Sequence, residues 1–249
     1  DYSFAPDWRL GLGLRHESWA SEDDYPILAD EASGTETIKS REESYWSPKF
    51  FIQHDLNADW SLRYAAAKAV RFPIVEELYQ NERRTSGASF SDSGLSPEKG
   101  VHQDLMLEKS LTNGFVRLNI FHERVEDVIF NQTQVSPRVR TFLPIDEVET
   151  LGVELSHTQD ELFKLPVSIS LNTTYLDAEI VRNSADPSTE GNTFPRMPKW
   201  RFNANVIYTM NERWTASGGF RYASNSFGRS SNSDREEEVF GAHDSYRFL

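Results

Sequence analysis

The chain has 249 residues and carries 26 Lys and Arg against 39 Asp and Glu, a net charge of −13. Phosphate contacts need clustered cations, so this acidity argues against a nucleic-acid partner. Cysteine is absent, which excludes disulfides, thiolate metal sites and a cysteine nucleophile, and no apolar run approaches the roughly 18 residues of a membrane helix.

In chain order, nine stretches alternate apolar and polar residues: Trp8–Trp19, Pro48–Asp55, Trp60–Arg71, Val101–Leu111, Phe115–Asn131, Glu149–His157, Val167–Ile180, Trp200–Met210 and Trp214–Asn225. A tenth begins near Asp244. In the first, Trp8, Leu10, Leu12 and Leu14 oppose Arg9, Gly11, Gly13 and Arg15. Successive side chains of a strand point to opposite faces, so each stretch makes one oily and one wet face.

The connections alternate as well. Short ones lie at Leu56–Asp59, Thr112–Gly114, Thr158–Pro166 and Asn211–Arg213. Long ones lie at Ala20–Ser47, Phe72–Gly100, Gln132–Val148, Val181–Lys199 and Ser226–His243. Asn113-Gly114 is a strong hairpin signal. A soluble sandwich has no reason for such alternation. A transmembrane β-barrel does, with short turns on the periplasmic side and long loops outside. Trp8, Trp60 and Trp214 each follow a short turn, while Trp19, Tyr45, Trp46 and Trp200 fall near the other strand ends, which predicts two aromatic girdles. The fold class is therefore all-β, a transmembrane antiparallel barrel of about nine to ten strands.

Four segments sharpen this. Arg71-Phe72-Pro73-Ile74-Val75-Glu76-Glu77-Leu78-Tyr79 resembles the Arg-x-Pro-x-x-x-Glu-Leu-Tyr segment of TonB-dependent outer-membrane receptors. Leu95-Ser96-Pro97-Glu98, Gly152-Val153-Glu154 and Pro195-Arg196-Met197-Pro198 resemble later segments of that family, in the family's order. The resemblance implies a 22-stranded barrel filled by a plug, of which residues 1–249 are a later part, lacking the plug and the first and last strands. Both ends read as cuts. It further implies import of a scarce nutrient, most of all a ferric siderophore, energised by TonB, ExbB and ExbD. The expected location is the outer membrane of a Gram-negative bacterium, in contact with lipid and lipopolysaccharide. Cobalamin, haem and glycan receptors share the architecture.

No catalytic constellation stands out, and no cofactor is expected. His54 with Asp55, or His102 with Asp104, could be read as metal or proton-relay groups, but neither has ligand spacing. Arg9, Arg15, Arg63, Arg71, Asp104, Glu108, Arg117, Asn119, Glu154, Asn172, Arg201, Asn203 and Arg221 are expected on the wet face. Arg71, Pro73 and Glu77 sit where a strand leaves the membrane, with Glu77 placed to fold back onto Arg71 in a structural role. Leu78, Tyr79, Pro97, Glu98, Gly152, Glu154 and Pro198 are carried as structural family positions. The ligand candidates are Arg83, Arg84, Arg138 and Arg140, basic exceptions in acidic loops, which could bind carboxylate or catecholate oxygens. They could equally grip lipopolysaccharide phosphates or face water. The acidic run Glu236–Glu238 reads as solvated surface. Rivals are a diffusion porin, an outer-membrane lipase or protease, and a soluble sandwich or adhesin.

Overall fold

The computed structural model describes residues 1–21, 25–30, 34–38, 40–79, 82–84, 87–135, 138–235 and 241–249; for 25–30, 34–38, 82–84, 132–135, 138–140, 143 and 235 only the backbone is described. The strands are β1 (Tyr2–Ala5), β2 (Trp8–Ser21), β3 (Tyr25–Asp30), β4 (Gly34–Ile38), β5 (Arg41–Asp55), β6 (Trp60–Arg71), β7 (Glu82–Arg84), β8 (Gly87–Phe90), β9 (Glu98–Leu111), β10 (Gly114–Val135), β11 (Arg138–Gln159), β12 (Val167–Arg182), β13 (Trp200–Asn211), β14 (Trp214–Ala223) and β15 (Tyr246–Phe248). One short helix, α1 (Val75–Tyr79), lies between β6 and β7.

The main sheet runs β1-β2-β5-β6-β9-β10-β11-β12-β13-β14-β15, each strand pairing with the next in the path. The chain therefore meanders, as the alternation predicts. Its two outermost strands, β1 and β15, do not pair with each other. β3 and β4 form a separate hairpin between β2 and β5, and β7 and β8 lie between β6 and β9.

Register sorts the side chains. One cross-strand row reads Leu10, Ile52, Tyr64, Leu105, Ile120, Val153, Tyr175 and Trp200. This face is oily and open: Leu12 and Leu14 are 76% and 64% exposed. The next row on the other face reads Gly11, Phe51, Ala65, Asp104, Phe121, Gly152 and Leu176. Here two rings lie down on two glycines. A Cβ at Gly11 would stand 2.1 Å from Phe51, and one at Gly152 would stand 2.2 Å from Phe121. An aromatic ring laid across a strand glycine covers backbone that a side chain would otherwise shield.

The residues expected on the wet face fall on one face by register. Glu108, Arg117, Ser156, Asn172, Asn203 and Arg221 make a polar row across it. Arg117 donates to Glu108 at 2.8 Å, Asn172 to Glu154 at 2.8 Å, and Arg221 to Asn203 at 3.1 Å. Such cross-strand pairs stabilise a wall locally.

Several boundaries differ from the sequence reading. β10 and β11 pair from Gly114 with Gln159 to Val135 with Arg138, so the expected connection Gln132–Val148 is mostly paired strand. Beyond the oily belt both faces of a strand can be wet, and alternation loses its meaning. β5 begins at Arg41 rather than Pro48, and the expected loop Ala20–Ser47 contains the β3–β4 hairpin. β9 begins at Glu98. Trp19 and Tyr45 leave the girdle: both lie on the wet face and pack on Phe72, with ring centroids 6.1 and 5.9 Å away. Trp46 and Trp200 remain on the oily face, 58% and 50% exposed. The run Glu236–Glu238 lies outside the described residues.

Candidate functional site

Arg71 ends β6 on the wet face. Pro73 follows, buried and without an N–H to extend a ladder. The chain turns into α1, whose first turn is capped from within: the Ile74 amide donates to the Glu77 carboxylate at 2.9 Å. A glutamate reaching back three residues to a helix start satisfies one of the amides that the helix leaves unpaired.

The same Glu77 accepts from Arg71 at 3.1 Å. The rest of the Arg71 fork goes to Glu98, at 2.6 Å from Nε and 2.8 Å from Nη2. Glu98 in turn accepts the Ile129 amide of β10 at 2.8 Å. One planar guanidinium thus joins β6, α1 and β9, and through Glu98 reaches β10. Bidentate pairing of this kind is strong and directional. The hydrogen bonds that Arg71 donates to Glu98 first, and the charges of Glu98 and Glu77 after them, hold Arg71 above its usual range even though burial opposes this.

Beneath this polar junction is an apolar one. Leu78, Leu95 and Phe142 are buried together, with Trp19, Tyr79 and Ile129 around them. Pro97 is fully buried beside them in sequence. The Tyr79 hydroxyl meets Ser21 Oγ at 2.8 Å, and Arg41 donates to the Leu95 carbonyl at 2.7 Å. The segment from Phe72 to Pro97 is therefore tied to β2 and β5 on one side and to β10 and β11 on the other. It crosses the wet face at the far ends of the strands.

This segment also carries two of the arginines. β7 pairs with β8 and β8 pairs in parallel with β11. The backbone rows read Arg83, Ala88, Val139 and Glu82, Ser89, Arg140; Arg84 pairs with Gly87. Neighbouring strands lie about 4.8 Å apart, so β7 and β11 are separated by roughly 10 Å across β8. Arg83, Arg84, Arg138 and Arg140 thus share one small three-stranded extension; their side chains lie outside the described residues.

A second rim stands opposite in the strand order. Between β12 and β13, Thr193 donates to Asn232 at 2.9 Å, and Asn232 returns a bond to the Thr193 carbonyl at 2.9 Å. Asn192 donates to the Ser230 carbonyl at 2.9 Å. Arg196 ties Phe227 through its amide at 2.6 Å and Asn131 through its guanidinium at 2.8 Å. Phe194 packs on Phe130 over a buried cluster of Ile145, Val148 and Ile180. Ser184 donates to Asp146, and that partner holds Asp146 below the usual carboxylate range. Pro198 leads into β13, where the Lys199 carbonyl accepts the Leu176 amide at 3.0 Å.

The histidines are spread over separate strands and connections, and His122 Nε2 meets Glu149 at 2.5 Å. His54 stacks on Trp8 at 4.1 Å, on the face opposite to Asp55. His102 and Asp104 stand 3.9 Å apart. Among the described residues, no group of three or more His, Asp or Glu is placed to hold a metal ion. Sequence reasoning missed Ser21, Arg41, Ile129, Thr193 and Asn232. Their partners lie 31 to 58 residues away in the chain, and no local pattern marks such contacts.

The comparisons agree with this architecture. The family model described as TonB dependent receptor-like, beta-barrel matches residues 1–248. Among solved structures, the siderophore receptor PiuA from Acinetobacter baumannii superposes with a TM-score of 0.71 at 18% identity, covering 98% of this chain and 34% of that one. The copper transporter OprC gives 0.73 at 17% identity, over 98% and 36%. The ferric citrate transporter FecA gives 0.68 at 18%, over 97% and 34%. The chain spans about a third of the length of these transporters, and the meandering wall is a partial barrel of their kind. Its relatives are transport receptors rather than enzymes, and the family is one of outer-membrane barrels. The chain belongs to the β-barrel domain family of TonB-dependent receptors.

Proposed function

We propose that this chain is part of the wall and mouth of an outer-membrane receptor that imports a ferric siderophore. The observation that carries the reading is the β7–β8–β11 extension, whose backbone gathers two arginine pairs from segments more than fifty residues apart at the end of the wet face. Guanidinium groups bind carboxylate and catecholate oxygens in a planar, paired fashion, so a basic patch in an otherwise acidic protein suits an anionic iron chelate. The oily face then meets lipid of a Gram-negative outer membrane and the polar row faces the lumen. Uptake is driven by TonB with ExbB and ExbD, through parts of the receptor other than this wall. Arg71, Pro73, Glu77, Leu78, Tyr79, Pro97 and Glu98 hold the mouth segment in place, and Gly152, Glu154 and Pro198 shape the wall. Similarity to a siderophore receptor and to a ferric citrate transporter supports the substrate class.

The test uses the full-length receptor. Arg83→Ala with Arg84→Ala, and separately Arg138→Ala with Arg140→Ala, are assayed for binding of ferric chelates, haem, cobalamin and copper(II). At least one pair should weaken a ferric chelate by about 1–3 kcal/mol, the scale of charged hydrogen bonds, with barrel assembly unchanged. Wild-type affinity for every chelate in both double variants would defeat the arginine reading and move cobalamin or a glycan forward.

A further inference from the structure

We infer that the lipid-side wall carries a specific binding site for a phosphate-bearing, acylated lipid, formed by the crevice between β5 and β6 with Lys68 at its head. This rests on the membrane reading above and adds to it a place and a chemistry.

The crevice follows from register. β2 and β5 stay paired up to Arg41, and β6 and β9 stay paired up to Glu98. The ladder between β5 and β6, by contrast, stops at Lys49 with Ala67. Pro48 is the next residue of β5 and has no N–H to extend it. Past that point the two strand pairs separate, and a groove of about 620 Å³ opens on the oily face. Leu12, Leu14, Pro48, Phe50, Ala66 and Val101 line it. Ala66 is the small residue between Phe50 and Gln103 in its row, and the wet-face positions Gly13, Lys49 and Ala67 border the gap between the strands. The result is an open, largely apolar groove on the oily surface.

Lys68 lies at one end of this groove. It sits on the oily face, in register with Val101, two residues beyond Ala66. It is exposed, and among the described residues it has no ion-pair partner, although the chain holds 39 acidic residues. Of the other cations at this level, Arg124 pairs with Glu147 at 2.7 Å and Lys99 with Asp127 at 3.2 Å, while Lys49, which also lines the groove, belongs to the wet face by register. The end at Lys68 is also the end toward the long connections, where Trp46 is exposed and packs at a tilt against His16, ring centroids 4.6 Å apart. Aromatic residues of that kind mark the headgroup level. A lysine there extends its stem along apolar surface and presents its ammonium to headgroups, where an anionic phosphate supplies the missing charge.

A hydrocarbon chain in the groove and a phosphate on Lys68 satisfy both features at once. A second protein copy would leave the ammonium unpaired against an oily face, and free phosphate would leave the groove empty. The two-part fit therefore selects a lipid.

The experiment is native mass spectrometry of the full-length receptor released from detergent in the presence of dimyristoyl phosphatidic acid, or of dimyristoyl glycerol, which has the same chains and no phosphate. Folding is followed by heat-modifiable gel migration, so loss of the barrel, which would count against the membrane reading, is seen separately from loss of the lipid. Wild type should retain the phosphatidic acid and not the diacylglycerol. Lys68→Gln should reduce retention about tenfold, the scale of one charged contact, and Lys68→Arg should restore it. Ala66→Phe, which fills the groove from the lipid side, should reduce it as well. Folded Lys68→Gln and Ala66→Phe receptors that both retain the lipid as wild type does would overturn the site, as would equal retention of the two lipids.

Discussion

At the scale of residues, the junction at Arg71 shows how one side chain fixes a long connection. Its fork is bidentate to Glu98 and touches Glu77, whose side chain is only 10% exposed. Arg71→Ala would leave Glu77 facing an apolar neighbour, Leu78, without its counter-charge, and would free α1 from the wall. Half-exposed charged pairs are worth less than buried ones, so a loss of about 1–2 kcal/mol is expected. It should fall on the Phe72–Pro97 segment and not on the barrel. Limited proteolysis of the folded full-length receptor reads this directly: cleavage within that segment should rise while heat-modifiable migration stays the same. Unchanged cleavage would remove Arg71 from its tying role. The sequence carried part of this arrangement, since the order Arg71, Pro73, Glu77 is local and Glu98 follows a proline. It carried nothing of Arg41 or Ser21, because a hydrogen bond to a distant carbonyl or phenol leaves no periodic trace. Trp19 and Tyr45 misled for a related reason. An aromatic residue near a strand end has two places to go, and only register shows that these two serve the wet-face cluster with Phe72.

At the scale of elements, alternation was legible wherever lipid and lumen impose opposite demands on one strand, and it faded where they do not. The core of β2, β6, β9 and β13 was read almost to its ends for that reason. The last four residues of β10 and the outer half of β11 were read as loop because Gln132, Thr133, Gln134 and Arg140 have no oily side to declare. The same logic gives a sharp register test on β9. Leu107 lies between Leu62 and Leu118 in an oily row, whereas Met106 lies between Arg63 and Asn119 on the wet face. Leu107→Arg should therefore destabilise folding into lipid vesicles by roughly 2–4 kcal/mol near the bilayer midplane. Met106→Arg meets a like charge across the ladder, an effect of about 1 kcal/mol or less in a wet environment, and should be the milder change. Equal losses for both variants in urea titrations of vesicle-folded receptor would show that the two faces are wrongly assigned.

At the scale of the whole molecule, what matters is that the sheet has two free edges. β1 and β15 each pair on one side only, through four-residue and three-residue strands, and nothing among the described residues caps the opposite sides. In hydrocarbon an unpaired backbone group costs several kcal/mol, and closed barrels exist because they have no such edge. In water the oily face is no better placed: Leu12, Leu14, Leu151, Val153, Leu155 and Trp214 stand exposed along it. Neither solvent accommodates these 249 residues as a lone monomer. Expressed by themselves they should need detergent, and in detergent they should join edge to edge into species larger than one chain, as unpaired strand edges template further pairing. A longer receptor with further strands pairing β1 and β15 should, by contrast, run as a single closed species under the same conditions. Size-exclusion chromatography with light scattering, with and without detergent, compares the two. A monodisperse, detergent-free monomer of the 249-residue chain would falsify the assignment of its oily face to lipid, because a surface that water tolerates has no need of a membrane.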